Sequence, residues 1–165
     1  NGFGAEGMQA LADGLGGGAL PSLWSLRLGD NNIGDAGASA LGAALGRGAL
    51  PRLEKLVLWQ NAIGSAGIVS LASGLHARPQ LKALDLDRNG IGDDGVAALV
   101  APGVLPSLEV LLLCRNRVTD AGSSTLVAAL SSGVMPLKSI RLDDNPASSA
   151  ARAAVATALA RRSGS

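Results

Sequence analysis

The sequence predicts an α/β solenoid with a curved parallel β-sheet on its concave side and α-helices on its convex side. The first observation is a period of 27 to 30 residues between asparagines, at Asn1, Asn31, Asn61, Asn89, Asn116 and Asn145. The second is a Leu-x-x-Leu-x-Leu-x-x-Asn frame, which ends at each of the last five asparagines and has one Ile, Ile140, in place of a leucine. The third is a helical apolar pattern after each asparagine. Together they indicate stacked repeats that share one core.

The Leu-x-Leu at the centre of each frame predicts a short strand. Successive side chains of a strand point to opposite faces, so the two leucines face one side and the residue between them faces the other. Every repeat runs in the same direction, so the strands pair in parallel, and each needs a crossover that is usually helical. The frames begin at Leu23, Leu53, Leu81, Leu108 and Leu137.

The segment after each asparagine predicts the crossover helix. A leucine stands ten residues after the asparagine and usually another four residues later, so both lie on one helical face. Gly103 replaces the second leucine in the repeat that follows Asn89, so the pattern does not define the length of that helix. An Asp or Ser four residues after each asparagine is the predicted N-cap: Asp35, Ser65, Asp93, Asp120 and Ser149.

The asparagines are predicted to be structural. A side-chain amide both donates and accepts hydrogen bonds, so it can satisfy backbone groups in the turn after a strand that no strand pairing reaches. Stacking from repeat to repeat would turn them into a ladder, comprising Asn31, Asn61, Asn89, Asn116 and Asn145.

The repeat length and the Asn-x-Ile-Gly-Asp-x-Gly motif of residues 31–37 resemble the ribonuclease-inhibitor class of leucine-rich repeats. That class includes the repeat domains of NOD-like receptors and of the Ran GTPase-activating protein. The resemblance covers essentially the whole chain and implies a leucine-rich-repeat solenoid. It indicates little about function, because inhibitors, sensors, scaffolds and GTPase activators share this fold. The last repeat departs from the pattern at Pro146, Ala151 and Val155.

Residues 1–165 are predicted to form a single leucine-rich-repeat domain with a partial first repeat over residues 1–22. Five full repeats follow, starting near residues 23, 53, 81, 108 and 137. The chain begins without a methionine, at the asparagine where a strand should just have ended, so we expect a fragment of a longer chain.

Composition argues against several classes of partner. Fourteen basic and thirteen acidic residues give a net charge of +1, which predicts neither a nucleic-acid partner nor an anionic membrane surface. The apolar runs are too short for membrane insertion. A single cysteine, Cys114, and the absence of an Asn-x-Ser/Thr site favour an intracellular, cytoplasmic location. No cofactor is predicted.

The side chains that point away from the strand leucines predict a protein-binding surface. In adjacent parallel strands they form rows of neighbours about 4.8 Å apart. Apolar side chains around two carboxylates, with arginines beside them, have the composition of a protein-binding hot spot. The predicted concave-face site comprises Arg27, Val57, Trp59, Asp85, Asp87, Arg88, Leu112, Cys114, Arg115 and Arg141.

Both tryptophans allow two interpretations. Strand alternation exposes Trp59, which favours a binding role; the alternative is a ring that lies flat over Val57 and neighbouring side chains. Trp24 lies just before its strand and could belong either to an interface or to a contact with a missing repeat.

Neither a metal site nor an active site is predicted. Asp85 and Asp87 share a strand face, but no third ligand is placed beside them and the flanking arginines offer ion pairs, so we predict solvated charges. A cysteine nucleophile needs an adjacent base, and the only histidine, His76, is predicted at a helix end on the opposite side from Cys114.

The leading functional hypothesis is therefore a non-catalytic protein-recognition module that acts as a scaffold, sensor arm or assembly subunit. One alternative is a GTPase activator of the Ran type, which would insert an exposed arginine such as Arg27 or Arg141 into a nucleotide site. Another is a structural subunit of a larger complex, bound through its helices or edges.

Overall fold

A computed structural model describes residues 2–16 and 18–163, and Asn1 lies outside them. Within these residues a first helix is followed by alternating strands and helices, as predicted. The strands are Ser25–Arg27 (β1), Lys55–Val57 (β2), Ala83–Asp85 (β3), Val110–Leu112 (β4) and Ser139–Arg141 (β5). The helices are Gly4–Leu15 (α1), Gly34–Gly46 (α2), Ser65–Leu75 (α3), Asp93–Leu99 (α4), Asp120–Ser132 (α5) and Ser149–Ser163 (α6).

The strands form one parallel sheet in chain order, β1 to β5. The pairing register brings the same frame position of each repeat side by side, in the order Leu26, Leu56, Leu84, Leu111 and Ile140. The helices of successive repeats also contact each other in chain order, from α1 to α6. Crossovers between parallel strands share one handedness, so the helices stack on one side of the sheet. This arrangement confirms the predicted solenoid.

The core is a continuous band of aliphatic side chains between the sheet and the helices. Strand leucines such as Leu56 and Leu84 are at most 1% exposed, and helix leucines such as Leu41 and Leu71 are fully buried. Each such side chain stabilises the fold by about 1.5–3 kcal/mol relative to an exposed position. Helix α4 is only seven residues long, which agrees with the leucine that Gly103 replaces.

The predicted N-caps are wrong by one position or more. The residues that cap α3, α4 and α5 are Gly64, Gly92 and Thr119, so the predicted residues form the first helical position instead. Helix α2 is capped by Ile33, two residues before the predicted Asp35. The side chain of a first-turn residue leans toward the helix N-terminus, where the loop of the next repeat lies.

These side chains accept hydrogen bonds from the next repeat rather than from their own helix. Asp93 accepts from the backbone N–H of Thr119 at 2.8 Å and from its hydroxyl at 2.6 Å. We call this contact the inter-repeat clip. Its other accepting residues are Asp35, Ser65 and Asp120, which bond the N–H groups of Gly64, Gly92 and Ser148.

The inter-repeat clip accounts for the glycine six residues after three of the asparagines, at Gly67, Gly95 and Gly122. A Cβ added at Gly67 would lie 2.5 Å from Asp35 Oδ1 and 3.0 Å from Ile63 Cγ2. The side chain of the preceding repeat and the apolar residue of the same repeat therefore occupy the space that a larger residue would need.

Replacement of Asp93 by alanine should destabilise the array by about 1–2 kcal/mol at neutral pH, because two donors of Thr119 lose a charged acceptor. Burial acts to raise the pKa of Asp93, but the hydrogen bonds from Thr119 and Gly122 outweigh it, so the pKa lies below its ordinary value of 3.8. A lowered pKa means that this stabilisation is complete above pH 3.8 and is lost as the pH falls further. Urea unfolding of both proteins at pH 7 and at successively lower pH values would measure it; a difference that grows on acidification would contradict this account.

A second link between repeats was not predicted. Arg78 is 7% exposed, and its guanidinium donates to the carbonyl oxygens of Leu45 at 2.6 Å and Ala77 at 2.7 Å. It thereby satisfies a carbonyl at the C-terminal end of α2, and its burial lowers the pKa of the guanidinium. Arg162 makes the equivalent contact to Leu130 at 2.9 Å.

Candidate functional site

Outward-facing side chains form parallel rows on the concave face. The row predicted from the sequence is in register along the sheet and consists of Arg27, Val57, Asp85, Leu112 and Arg141. A second row, two residues earlier on each strand, was not predicted and consists of Ser25, Lys55, Ala83, Val110 and Ser139. The alternation that directs Arg27 outward directs Ser25 outward as well, so the signal was present in the sequence.

The two rows enclose a hollow of about 290 Å³ at the middle of the sheet, which we call the central hollow. Apolar side chains form much of its lining, and the small side chain of Ala83 lies between larger neighbours. The outward-facing residues that line it are Arg27, Lys55, Val57, Trp59, Ala83, Asp85, Val110 and Leu112. The predicted concave-face residues at the centre of the sheet therefore share one depression.

Val57 is less accessible than predicted. It points to the concave face but is only 7% exposed. Its register partners are Arg27 and Asp85, and Trp59 lies two residues further along the same face. Because these longer side chains line the same hollow, Val57 forms part of its floor rather than an exposed contact.

Trp59 is 36% exposed, and its indole lies against Gly29 of the preceding repeat. A Cβ added at Gly29 would be 2.5 Å from Cε2 and 2.6 Å from Cδ1 of the ring. The absence of a side chain at Gly29 therefore makes room for the ring, which packs against the backbone of the neighbouring repeat. A ring held in this way loses little conformational entropy when a partner covers it.

Among the described residues, the flanking arginines form no ion pair with the central carboxylates Asp85 and Asp87. Arg115 Nε is 3.0 Å from Asp144, and Arg88 donates to Gln60 Oε1 at 3.4 Å. Arg88 and Arg115 have left-handed backbone conformations, with φ of 54° and 55°, respectively. Their side-chain partners, Gln60 and Asp144, lie in the loops that follow the strands.

The two central carboxylates differ in their surroundings. Asp87 Oδ1 accepts from the backbone N–H of Cys114 at 2.7 Å, and Asp85 Oδ1 accepts from the N–H of Asp87 at 3.1 Å. Burial raises the pKa of Asp85, and the nearby charge of Asp87 also raises it. The hydrogen bond from the Asp87 N–H and the charge of Lys55 act to lower this pKa, but the net shift is upward. Among the described residues, neither Asp85 nor Asp87 forms an ion pair within 4.0 Å. The carboxylates that do are Glu54, Glu109, Asp143 and Asp144.

Cys114 is placed for packing rather than for nucleophilic chemistry. Burial, outweighing a backbone hydrogen bond, raises the pKa of its thiol to about 11, so the reactive thiolate is scarce at neutral pH. Its Sγ donates to Asp143 at 3.5 Å, and Asp143 also accepts from Arg141 at 3.3 Å. His76 caps the end of α3 on the helical side. In the described part of the chain, no group of three or more His, Cys, Asp or Glu side chains is arranged to hold a metal ion.

The predicted asparagines lie beside the concave rows and bond the backbone of two repeats. Asn61 Oδ1 accepts from the N–H groups of Asn31 at 3.0 Å and Ile33 at 3.3 Å. Its Nδ2 donates to three carbonyls, those of Leu28, Leu58 and Trp59. The carbonyl bonds after each strand recur at Asn31, Asn89, Asn116 and Asn145.

Comparison with known proteins agrees with this geometry. A family model described as leucine-rich repeat matches residues 19–42 and 79–100. The chain therefore has the leucine-rich-repeat solenoid fold. No curated protein matches it.

Solved structures show the same fold along nearly the whole leucine-rich repeat array. The tropomodulin C-terminal domain from Caenorhabditis elegans superimposes with a TM-score of 0.72 at 17% identity, covering 97% of this chain and 93% of that domain. Leiomodin-1 actin-binding site 2 gives a TM-score of 0.69 at 15% identity, covering 93% of this chain and 87% of that one. Neither structure is described as a GTPase-activating protein, so the Ran-type alternative gains no support from them.

One further property concerns membranes. Among the described residues, no helix combines the length and the apolar character that a membrane crossing requires.

Proposed function

We propose that this leucine-rich repeat protein is a non-catalytic recognition module that binds a protein partner through its concave face. The central hollow is the observation that carries the proposal. It joins an exposed tryptophan, apolar walls and a half-buried carboxylate on one continuous surface. Aromatic side chains at the centre of a desolvated patch are the groups that dominate protein–protein binding energies.

Rigidity of the surface supports the same proposal. Strands β2, β3 and β4 are each paired on both sides, and the asparagine amides bond the turns that follow them. The Trp59 ring is held against Gly29. A surface that is ordered before binding loses less entropy on association, so the same contacts give a higher affinity.

The charged rim would act mainly on the rate of association. Arg88, Arg115 and Arg117 are exposed in the loops that follow the strands, beside the hollow rather than inside it. Exposed charges of this kind steer an approaching partner and contribute little to the final affinity. A partner with acidic groups facing this rim would therefore associate faster at low salt.

From the repeat length and the turn motif, we assign the array to the ribonuclease-inhibitor class of leucine-rich repeats. From the single cysteine, we infer an intracellular location for the protein. The likeness to leiomodin-1 actin-binding site 2 makes purified actin one defined probe for the concave face. The alternative is a structural subunit that is bound through its helices or edges.

Replacement of Trp59 by alanine should weaken partner binding by about 2 kcal/mol, which corresponds to about a 30-fold loss of affinity, because a hot-spot aromatic leaves its pocket. Binding of purified actin, or of proteins retained from a lysate of the source cell, would be quantified for both proteins. Thermal unfolding should change little, since the ring lies outside the main core cluster.

Trp24 provides a matched control. It is 62% exposed, more than Trp59, but lies beside Pro51 and Glu54 at the start of the strands rather than in the central hollow. The Trp24→Ala variant should retain wild-type binding. A silent Trp59→Ala variant together with a damaging Trp24→Ala variant would place the interface at the edge and support the structural-subunit alternative.

A further inference from the structure

We infer that the central hollow selects a lysine or arginine side chain of the partner, with the Asp85 carboxylate receiving its positive charge. The inference rests on the proposed function, because it specifies what the concave face would recognise. It commits to an extended or protruding segment of a partner protein that presents a basic side chain.

The Asp85 carboxylate is partly desolvated and has no ion pair among the described residues. Asp85 Oδ1 accepts a hydrogen bond from the Asp87 N–H at 3.1 Å. Burial raises its pKa, as does the nearby Asp87 charge, and both effects express the cost of a carboxylate with incomplete compensation. An incoming cation would relieve that cost, whereas an incoming carboxylate would increase it.

The walls of the hollow suit the rest of a basic side chain. Val57, Ala83, Val110 and Leu112 surround Asp85 with apolar surface. Lysine and arginine place their aliphatic stems along such surfaces while the charged end meets a polar partner. Trp59 lines the same hollow, and an indole face attracts a cation that lies close to it.

Two cations of the chain itself border the hollow and must be weighed against an incoming one. Lys55 is the register partner of Ala83 and therefore lies diagonally across from Asp85. Its charge lowers the pKa of Asp85, yet no ion pair within 4.0 Å joins them. Arg27 lies one strand further away, beyond Val57. Lys55 is thus the competitor whose removal should strengthen binding of an external cation.

Titration with n-butylammonium chloride tests the inference, with 1-butanol as the neutral probe of similar shape. Backbone amides of Val57, Asp85 and Leu112 and the indole N–H of Trp59 would be followed by NMR at constant ionic strength. Butylammonium should bind about tenfold more tightly than butanol, and the indole of Trp24 should not respond. Equal affinities, or no shifts at these residues, would overturn the inference.

Two variants assign the effect to Asp85. Asp85→Asn keeps an oxygen that can accept from the Asp87 N–H but removes the charge, so the preference for butylammonium should disappear. Lys55→Met removes the competing cation and should increase the affinity for butylammonium severalfold. A preference that survives in Asp85→Asn, while circular dichroism shows both variants folded, would assign the cation to another group and contradict the inference.

This experiment can fail independently of the proposed function. Loss of protein binding in Trp59→Ala without a preference for butylammonium would leave the concave interface intact but reject the basic side chain. A clear preference for butylammonium with normal protein binding by Trp59→Ala would show a cation site that the protein partner does not use.

Discussion

Replacement of Gly74 by alanine is expected to destabilise the array by about 3 kcal/mol, at the upper end of what overpacking usually costs. Helices α2 and α3 approach each other backbone to backbone at this position. A Cβ at Gly74 would lie 2.7 Å from the Cα and 2.6 Å from the carbonyl carbon of Gly42, and closer still to its carbonyl oxygen. These are main-chain atoms, so no side-chain rotation can relieve the overlap, and the two helices must separate. Urea unfolding monitored by circular dichroism would measure the change.

Gly14 is the matched control. It also lies in a helix, α1, but a Cβ added there would meet no atom within 4 Å. The Gly14→Ala variant should be stabilised by up to about 0.5–1 kcal/mol, because alanine loses less backbone entropy than glycine in a helix. If Gly74→Ala were as stable as Gly14→Ala, the close approach of α2 and α3 would be wrong.

Replacement of Asn61 by alanine should cost about 3 kcal/mol, because buried backbone donors and acceptors of two repeats lose their partners. Asn61 is fully buried, and its side chain makes five hydrogen bonds among the described residues. Asn89 makes the same number and should behave in the same way. Thermal or urea unfolding of the variants would measure the loss.

Asn116 supplies a graded comparison for this prediction. It makes three hydrogen bonds in the described structure, to the N–H of Ile91 and the carbonyls of Leu86 and Cys114. Its replacement by alanine should therefore cost less than that of Asn61. Equal and small losses at both positions would mean that water satisfies the turns without the asparagine ladder.

The fold could be predicted because two independent periods agree in this sequence. Alternation with period two across each Leu-x-Leu identifies the strands, and leucines four residues apart identify the helices. The repeat of 27 to 30 residues then requires that the strands pair in parallel. The helix starts were predicted one or two residues too late. The sequence does not distinguish an aspartate at the first helical position from one at the N-cap. The partner of the aspartate is in the next repeat, 26 to 29 residues away.

The site was only partly predictable for a related reason. Alternation identifies which side chains point to the concave face, but it gives neither the neighbouring side chains that cover Val57 nor the left-handed backbone at Arg88 and Arg115. The contact between Trp59 and Gly29 joins positions 30 residues apart, and the sequence shows it only as a glycine in the tryptophan's row. Chemical character was therefore predictable, whereas accessibility and pairing required the assembled repeats.

Site-specific photocrosslinking tests most directly whether the concave face binds the partner. A benzophenone amino acid at Val110 would lie in the central hollow, and one at Val69 would lie on the outer side of α3, where the native side chain is 49% exposed. Irradiation of each variant with a retained partner should give a covalent adduct from position 110 and none from position 69. Adducts from position 69 alone would contradict recognition by the concave face.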